Sequence, residues 1–218
     1  MGVPDPLAAA IAENALWCDH VGRAIGARTA VDVHRWWSDA RMPPFHPDAV
    51  SLVPGVAARD LLAGVDVGPG CSVKDSHADV DLAPAGFSVA LTGRWWHRPP
   101  GPVPASALMP AVVALGDEVV GGVLAGDPAM RLVAARDDQG RVRARAVLHD
   151  ADPGAGAVVG VSNLTADPGF EAQAWRAIVG VASGRHLVGW EREEDLASVV
   201  AVGGRTLGPL RVWLRPDD

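Results

Sequence analysis

The sequence predicts an α+β (α/β) fold: a mixed, mostly antiparallel sheet flanked by helices, with an additional N-terminal α/β half. Three observations carry this. From Arg141 to His149 the residues alternate, with Arg141, Arg143 and Arg145 to one side and Val142, Ala144 and Ala146 to the other, which is the period of a half-buried strand. Further on the period changes, and Phe170, Ala174, Ile178 and Val181 recur at helical spacing with Glu171 and Arg176 off the stripe. Turn-forming residues separate these runs, notably Asp137-Asp-Gln-Gly140 and Gly203-Gly204.

Taken in order, Asp5-Pro6 can serve as N-cap and first helical residue, and Leu7, Ile11, Ala15, Cys18, Gly22 and Ile25 continue an amphipathic helix to about Gly26. Asn14, Trp17 and His20 border its apolar stripe. Trp17 reads as a core anchor there, and Asn14 as a cap or a solvent-facing residue. Val31 to Ala40, with Trp36-Trp37, predicts a second short helix. Met42-Pro-Pro-Phe-His-Pro-Asp48 is stiff, because proline fixes φ and restricts its predecessor; it either presents His46 and Asp48 at a cleft or packs as a connector. Ala49–Val53 reads as a strand, Ala57–Leu62 as a short helix and Phe87–Thr92 as a strand. Arg98-Pro-Pro-Gly-Pro-Val-Pro104 is an extended linker, and Ala105 to Val123 reads as a helix followed by a strand ending at Gly121-Gly122. The domain organisation expected is an N-terminal half over 1–98, a Pro-rich linker over 99–110 and a core over 111–218.

In that core Met130–Arg136, Arg141–His149 and Ala157–Asn163 are three antiparallel strands. The helix ending at Ser183-Gly184, the strand His186–Trp190, a helix opened by Glu193-Glu194-Asp195 and a last strand Leu210–Leu214 follow. This order, closing on Gly203-Gly204-Arg-Thr-Leu-Gly-Pro-Leu-Arg-Val-Trp213, resembles the core of the GNAT (Gcn5-related N-acetyltransferase) superfamily, in the C-terminal half only. The N-terminal half can be read as a degenerate lobe of the same kind. The resemblance implies a sheet that splays between Val158–Asn163 and Leu187–Trp190, with acetyl-CoA or another acyl-CoA lying in the gap. It implies a GNAT-like acyltransferase that moves an acyl group from acyl-CoA to a small-molecule amine. The alternative is a GNAT-fold protein that has lost CoA-dependent transfer and acts as a small-molecule tailoring enzyme, such as a decarboxylase, or as a non-catalytic binding module. Where the family carries Arg/Gln-x-x-Gly-x-Gly/Ala for the CoA pyrophosphate, this chain has Leu164-Thr-Ala-Asp-Pro-Gly-Phe170. The family's general-acid Tyr would fall near Val199, and the chain contains no Tyr.

By the same resemblance, Ser162, Leu164 and Gly169 would touch the cofactor. Glu191 is the candidate general base toward an amine, directly or through water, with ion pairing to Arg192 or Arg185 as the bland reading. Asn163 could orient a carbonyl. Trp190, Arg192, His46 and Trp95 are candidates to bind substrate. A second cluster comes from residue types alone: Lys74, Asp75, Ser76 and His77 offer acid, base and nucleophile close together, although neighbours on a strand face opposite ways. A solvated strand edge explains them equally well.

Composition narrows the classes. The chain has 218 residues, one large or two small domains, and 49% hydrophobic residues, ample for a core. A net charge of −7, with Lys74 the only lysine, argues against a nucleic-acid or anionic-membrane partner. A small molecule is the expected partner, and a homodimer remains open. Two cysteines, Cys18 and Cys71, imply no disulfide framework, and with no signal-peptide pattern a cytoplasmic location is expected. The seven histidines are scattered, with no His-x-x-x-His or Cys-x-x-Cys pair, so no metal is expected. Phosphate loops and the Gly-x-Ser-x-Gly elbow are absent.

Overall fold

Asp5 opens the first helix, its carboxylate accepting from the backbone N–H of Leu7 and Ala8, both at 3.0 Å, with Pro6 in the first turn. Helix α1 (Pro6–Ala24) follows. The computed structural model describes residues 3–101, 112–113, 127–150, 158–182 and 184–217. The expected linker beyond Gly101, and the expected helix and strand over 105–123 apart from Val112–Val113, lie outside them. Among the described residues no helix is long and apolar enough to cross a membrane.

The expected helix over Val31–Ala40 is corrected. The segment is a hairpin of β1 (Thr29–Val31) and β2 (Arg35–Ser38), with Val31 opposite Trp36. Asp32 sets the turn, accepting from the backbone N–H of His34 at 2.7 Å and Arg35 at 3.0 Å. That local bond competes with a helix, and the β-branched and aromatic residues around it suit a pleated surface. Next come β3 (Ala49–Ser51), α2 (Ala58–Leu62), β4 (Ser72–Asp75) and β5 (Ser88–Arg98). The second half holds β6 (Val112–Val113), β7 (Met130–Arg136), β8 (Val142–His149), β9 (Val158–Ala166), α3 (Glu171–Val181), β10 (His186–Glu191), α4 (Leu196–Ala201) and β11 (Arg205–Leu214). A 3-10 turn over Glu193–Asp195 leads into α4. Strand β11 begins earlier than Leu210; its pairing with β5 shifts register between Thr206 and Pro209, where proline has no N–H to give.

The eleven strands of the described residues form one sheet in the order β1-β2-β3-β4-β11-β5-β10-β9-β8-β7-β6, antiparallel except for β3–β4 and β9–β10. Strand β5, from the first half of the chain, sits between β10 and β11 of the second. Its adjacent Trp95 and Trp96 anchor opposite faces. Trp95 packs with Ala10 and Ile11 of α1 and with Val188 and Leu210, while Trp96 meets Trp175 of α3 edge-on at 5.2 Å. Helix α1 therefore covers one face near the middle of the sheet, and α3 with α4 covers the other.

The feature that creates a site is the parting of β9 and β10. They pair only at Val158–Gly160 against His186–Val188, yet β9 runs on to Ala166 and β10 to Glu191. A bulge drives them apart. Between the pairs Val147–Ser162 and Arg145–Thr165 the register against β8 shifts, so β9 carries an extra residue, and Asn163 there is left-handed at φ 53°. Asparagine tolerates that conformation, and a bulge bends its strand.

At the last paired position of β9, Glu13 of α1 lies directly over Gly160, where a Cβ would collide with the Glu13 carboxylate. Glu13 is buried and bonded to Nδ1 of His149. Its burial pushes its pKa up, partly offset by His149. Gly160→Ala is expected to cost about 1–3 kcal/mol by overpacking, read as a lower denaturation midpoint. An unchanged midpoint would show that Glu13 can swing aside.

Candidate functional site

The parted strands open a cleft of about 410 Å³, within the size range of small-molecule sites. Strand β9 supplies Val161 to Thr165, and β10 supplies Trp190 and Glu191. Asn14, Trp17 and Cys18 reach in from α1, Phe45 and His46 from the proline-rich loop, and Lys74 from β4. Successive residues of β10 face opposite sides. Trp190 stands with Val188 on the α1 side, whereas Glu191 looks toward Asp195 ahead of α4, so the cleft runs through the sheet.

Lys74 is 4% exposed. Its Nζ donates to Oδ1 of Asn14 at 2.8 Å and lies 4.9 Å from the Trp190 ring and 5.7 Å from the Trp95 ring. Burial lowers its pKa to about 8, with Cys18 and Glu13 opposing. The Cys18 thiol is itself pushed up to about 12 by burial, which leaves it protonated and a poor nucleophile. His46 is buried against the Trp17 ring at 5.6 Å, with its Nδ1 near the Pro44 carbonyl at 3.1 Å. Burial, the leading cause, lowers its pKa and favours the neutral imidazole. Beside it Phe45 is 96% exposed at φ 69°.

Glu191 is the other shifted group. Burial, and then the Asp195 carboxylate, raise its pKa to about 7. Its suggested ion-pair partners are engaged elsewhere: Arg185 binds Asp150 at 3.0 Å, and Arg192 lies 4.0 Å from Glu194. Arg94, opposite it on β5, is bonded to Glu193, and a carboxyl group with a pKa near neutrality can exchange protons at physiological pH.

Of the residues singled out in the sequence, Glu191, Asn163, Lys74, Ser162, Leu164, Trp190, Arg192 and His46 line this cleft. The rest lie elsewhere. Asp75 accepts from the backbone N–H of Asp79 at 3.2 Å and Val80 at 3.0 Å, which holds the turn after β4. The Ser76 N–H donates to Ser51 Oγ and its carbonyl accepts from Trp95 Nε1, each at 2.8 Å. His77 belongs to the same turn. Trp95 is fully buried beneath Lys74. Gly169, at φ 85°, shapes the turn before α3 away from the cleft. Strand alternation accounts for the division of the Lys74–His77 cluster: β4 ends at Asp75, and Lys74 faces α1 alone. Sequence reasoning missed Asn14, which is buried rather than capping or facing water, and Asp195. The one available signal was a polar residue at the border of an apolar stripe.

The arginine row of β8 lies beside the cleft. Arg141 and Arg143 reach Asp137 at 3.6 and 3.5 Å, and Arg143 also binds Asp167 at 2.9 Å. Past Gly160 the edge of β9 facing β10 has no strand partner among the described residues, so its backbone can pair with an extended amide-bearing ligand. Helix α3 starts without a side-chain cap, but the turn before it presents Asp167.

No protein-family model and no curated sequence matches the chain. Solved structures do. A GNAT-family protein from Novosphingobium aromaticivorans shares 16% identity with a TM-score of 0.60, covering 96% of this chain and 97% of that one. A functionally unknown conserved protein from Staphylococcus epidermidis shares 11% identity at TM-score 0.54, covering 89% and 96%. A GCN5-related N-acetyltransferase-like protein from Streptococcus suis shares 10% at TM-score 0.51, covering 94% and 99%. The chain is thus a divergent protein of GNAT-like fold, and the likeness extends over nearly its whole length rather than the C-terminal half alone.

Proposed function

We propose that this protein is an acyltransferase that moves an acyl group from acyl-CoA to a small-molecule amine. The observation that carries the reading is the cleft itself: two parallel strands forced apart by a bulge, with a buried carboxyl group of pKa near 7 at its wall. The free edge of β9 past Gly160 suits the extended, amide-bearing arm of an acyl-CoA, which would supply an activated thioester. Asn163, Ser162 and Leu164 lie where that arm would end. Glu191 takes a proton from the substrate ammonium, directly or through water, and frees the lone pair for attack on the carbonyl. A second proton, made acidic once the nitrogen is bonded to the carbonyl carbon, would pass to the departing thiolate, so that ammonium and thioester give amide, thiol and the one proton that Glu191 releases to solvent. Positioning in the cleft supplies the rest.

Asp167 favours the second reading, a GNAT-fold protein without CoA-dependent transfer. Its carboxylate stands where an anion would dock, although Arg143 neutralises part of its charge. Isothermal titration with acetyl-CoA and longer acyl-CoAs separates the two. Micromolar binding is expected. Asn163→Val, which strains the left-handed bulge by about 1–2 kcal/mol, is expected to weaken it roughly tenfold. No heat across the acyl-CoA series would reject transfer from CoA.

A further inference from the structure

The wall of the cleft on the α1 side contains a charge that the protein itself leaves incompletely matched. Lys74 is the only lysine of the chain and is almost wholly buried. An ammonium carries three donors. Here one goes to the neutral Oδ1 of Asn14, and the indole faces of Trp190 and Trp95 lie farther off. No described carboxylate comes within ion-pair distance of Nζ: Glu13, the acidic residue that acts on it from α1, is bonded to His149 instead. Packing alone would be met by a methionine. A buried cation without a counter-ion is costly, and the cost is recovered when an anion enters. Lys74 lines the open cleft, so an anion can reach it.

The surroundings indicate which anion. The cleft lining that Lys74 shares includes flat side chains that are apolar or neutral: Trp17, Trp190, and His46, which burial keeps toward its neutral form. Arg192, the other cation of the lining, is at β10's end beside Glu194. A phosphate dianion would find a single cation there. A carboxylate needs no more than Lys74 and the amide N–H of Asn14. Glu191, the residue after Trp190 on β10, lines the same cleft. One cleft therefore offers both a buried cation and a proton-accepting carboxylate.

We propose that the acceptor is an amino acid with an aromatic or apolar side chain, its carboxylate held by Lys74 and Asn14, its amine turned toward Glu191 and its body stacked between Trp17 and Trp190. The amine end rests on the acyltransferase reading; the carboxylate end does not. The pKa of Lys74, about 8, leaves it mainly protonated at pH 7 and ready for such a partner.

The test is calorimetric titration of the full chain at pH 7, without any acyl-CoA, using L-tryptophan, L-phenylalanine and L-leucine. L-Tryptophanamide and tryptamine serve as partners that lack the carboxylate. At least one of the acids is expected to bind, and tryptophan at least tenfold more tightly than its amide or amine. Lys74→Met is expected to remove that preference while leaving the weak binding of the amide in place. Because the acid-against-amide comparison is made on the unaltered protein, it stands even if the variant fails to fold. Equal or tighter binding of the amide and amine, or no binding by any of the acids, overturns the proposal. Acetyl-CoA binding is measured on the same sample. Carboxylate-dependent binding with no acetyl-CoA binding would uphold the Lys74 site and reject acyl transfer; the reverse pattern would reject this site alone.

Discussion

Lys74→Met is expected to stabilise the ligand-free protein at pH 7, by up to about 3 kcal/mol at ~1.4 kcal/mol per pH unit, because burial lowers the lysine pKa from 10.5 to about 8. The direction follows from proton linkage. Between pH 8 and 10.5 the unfolded chain holds a proton that the folded chain has given up, so this group makes stability rise with pH across that window. Below pH 8 the full penalty of the buried ammonium stands. Cys18 and Cys71 act in the opposite sense, since burial raises their pKa values to about 12 and about 11, so their contribution falls as pH climbs past 9. The readout is therefore the difference between wild type and variant in chemical denaturation at pH 7 and pH 10. It should be large at pH 7 and shrink by pH 10. The lost bond to Asn14 trims the gain. A variant less stable than wild type at pH 7 would mean that the indole rings and Asn14 already satisfy the ammonium.

If the proposed acyl transfer is the reaction, Glu191→Gln is expected to lower its kcat/KM by about 10²–10⁴-fold, the usual contribution of a positioned general base. The wild-type rate should rise with pH through an apparent pKa near 7, since the base acts when deprotonated and burial with Asp195 holds it at about 7. The variant profile should be low and flat over that range. Asp195→Asn separates a catalytic role from a structural one. Removing its charge should move the inflection to lower pH, because the Asp195 charge is the second cause of the shift. An inflection that stays in place after Asp195→Asn, or a Gln variant with wild-type rates, would assign the base elsewhere.

The second half of the fold was legible because its signals are local. The alternation of Arg141–His149, the change of period at Phe170 and the stop at Gly203 mark β8, α3 and the end of α4 directly. The β1–β2 hairpin was misread because Trp36-Trp37 suits either element, and the deciding bond is made by Asp32 to its own turn. The insertion of β5 between β10 and β11 leaves no local trace, since register between strands so distant in sequence is fixed only when the sheet closes. The site divides in the same way. Trp190 and Glu191 fall at the end of β10 and Asn163 inside β9, two strands that element order locates. The contact between Lys74 and Asn14 spans 60 positions, and only the docking of α1 on the sheet brings them together. The same docking explains why Asp75, Ser76 and His77, next to Lys74 in the chain, stay outside.

The place of β5 also bears on how the molecule is assembled. A strand made earlier lies between two made later, so the middle of the sheet cannot be completed until β11 is present. Contacts that distant carry a large loop-closure cost before they are rewarded, which makes for slow folding. Until β11 and β10 flank it, the edges of β5 stand open to mispairing. The cleft is the last thing to form: it needs β10 held on one side by a strand from the first half and released on the other by the bulge in β9. Neither half owns the binding site, and a nascent chain still lacking its final strands has none.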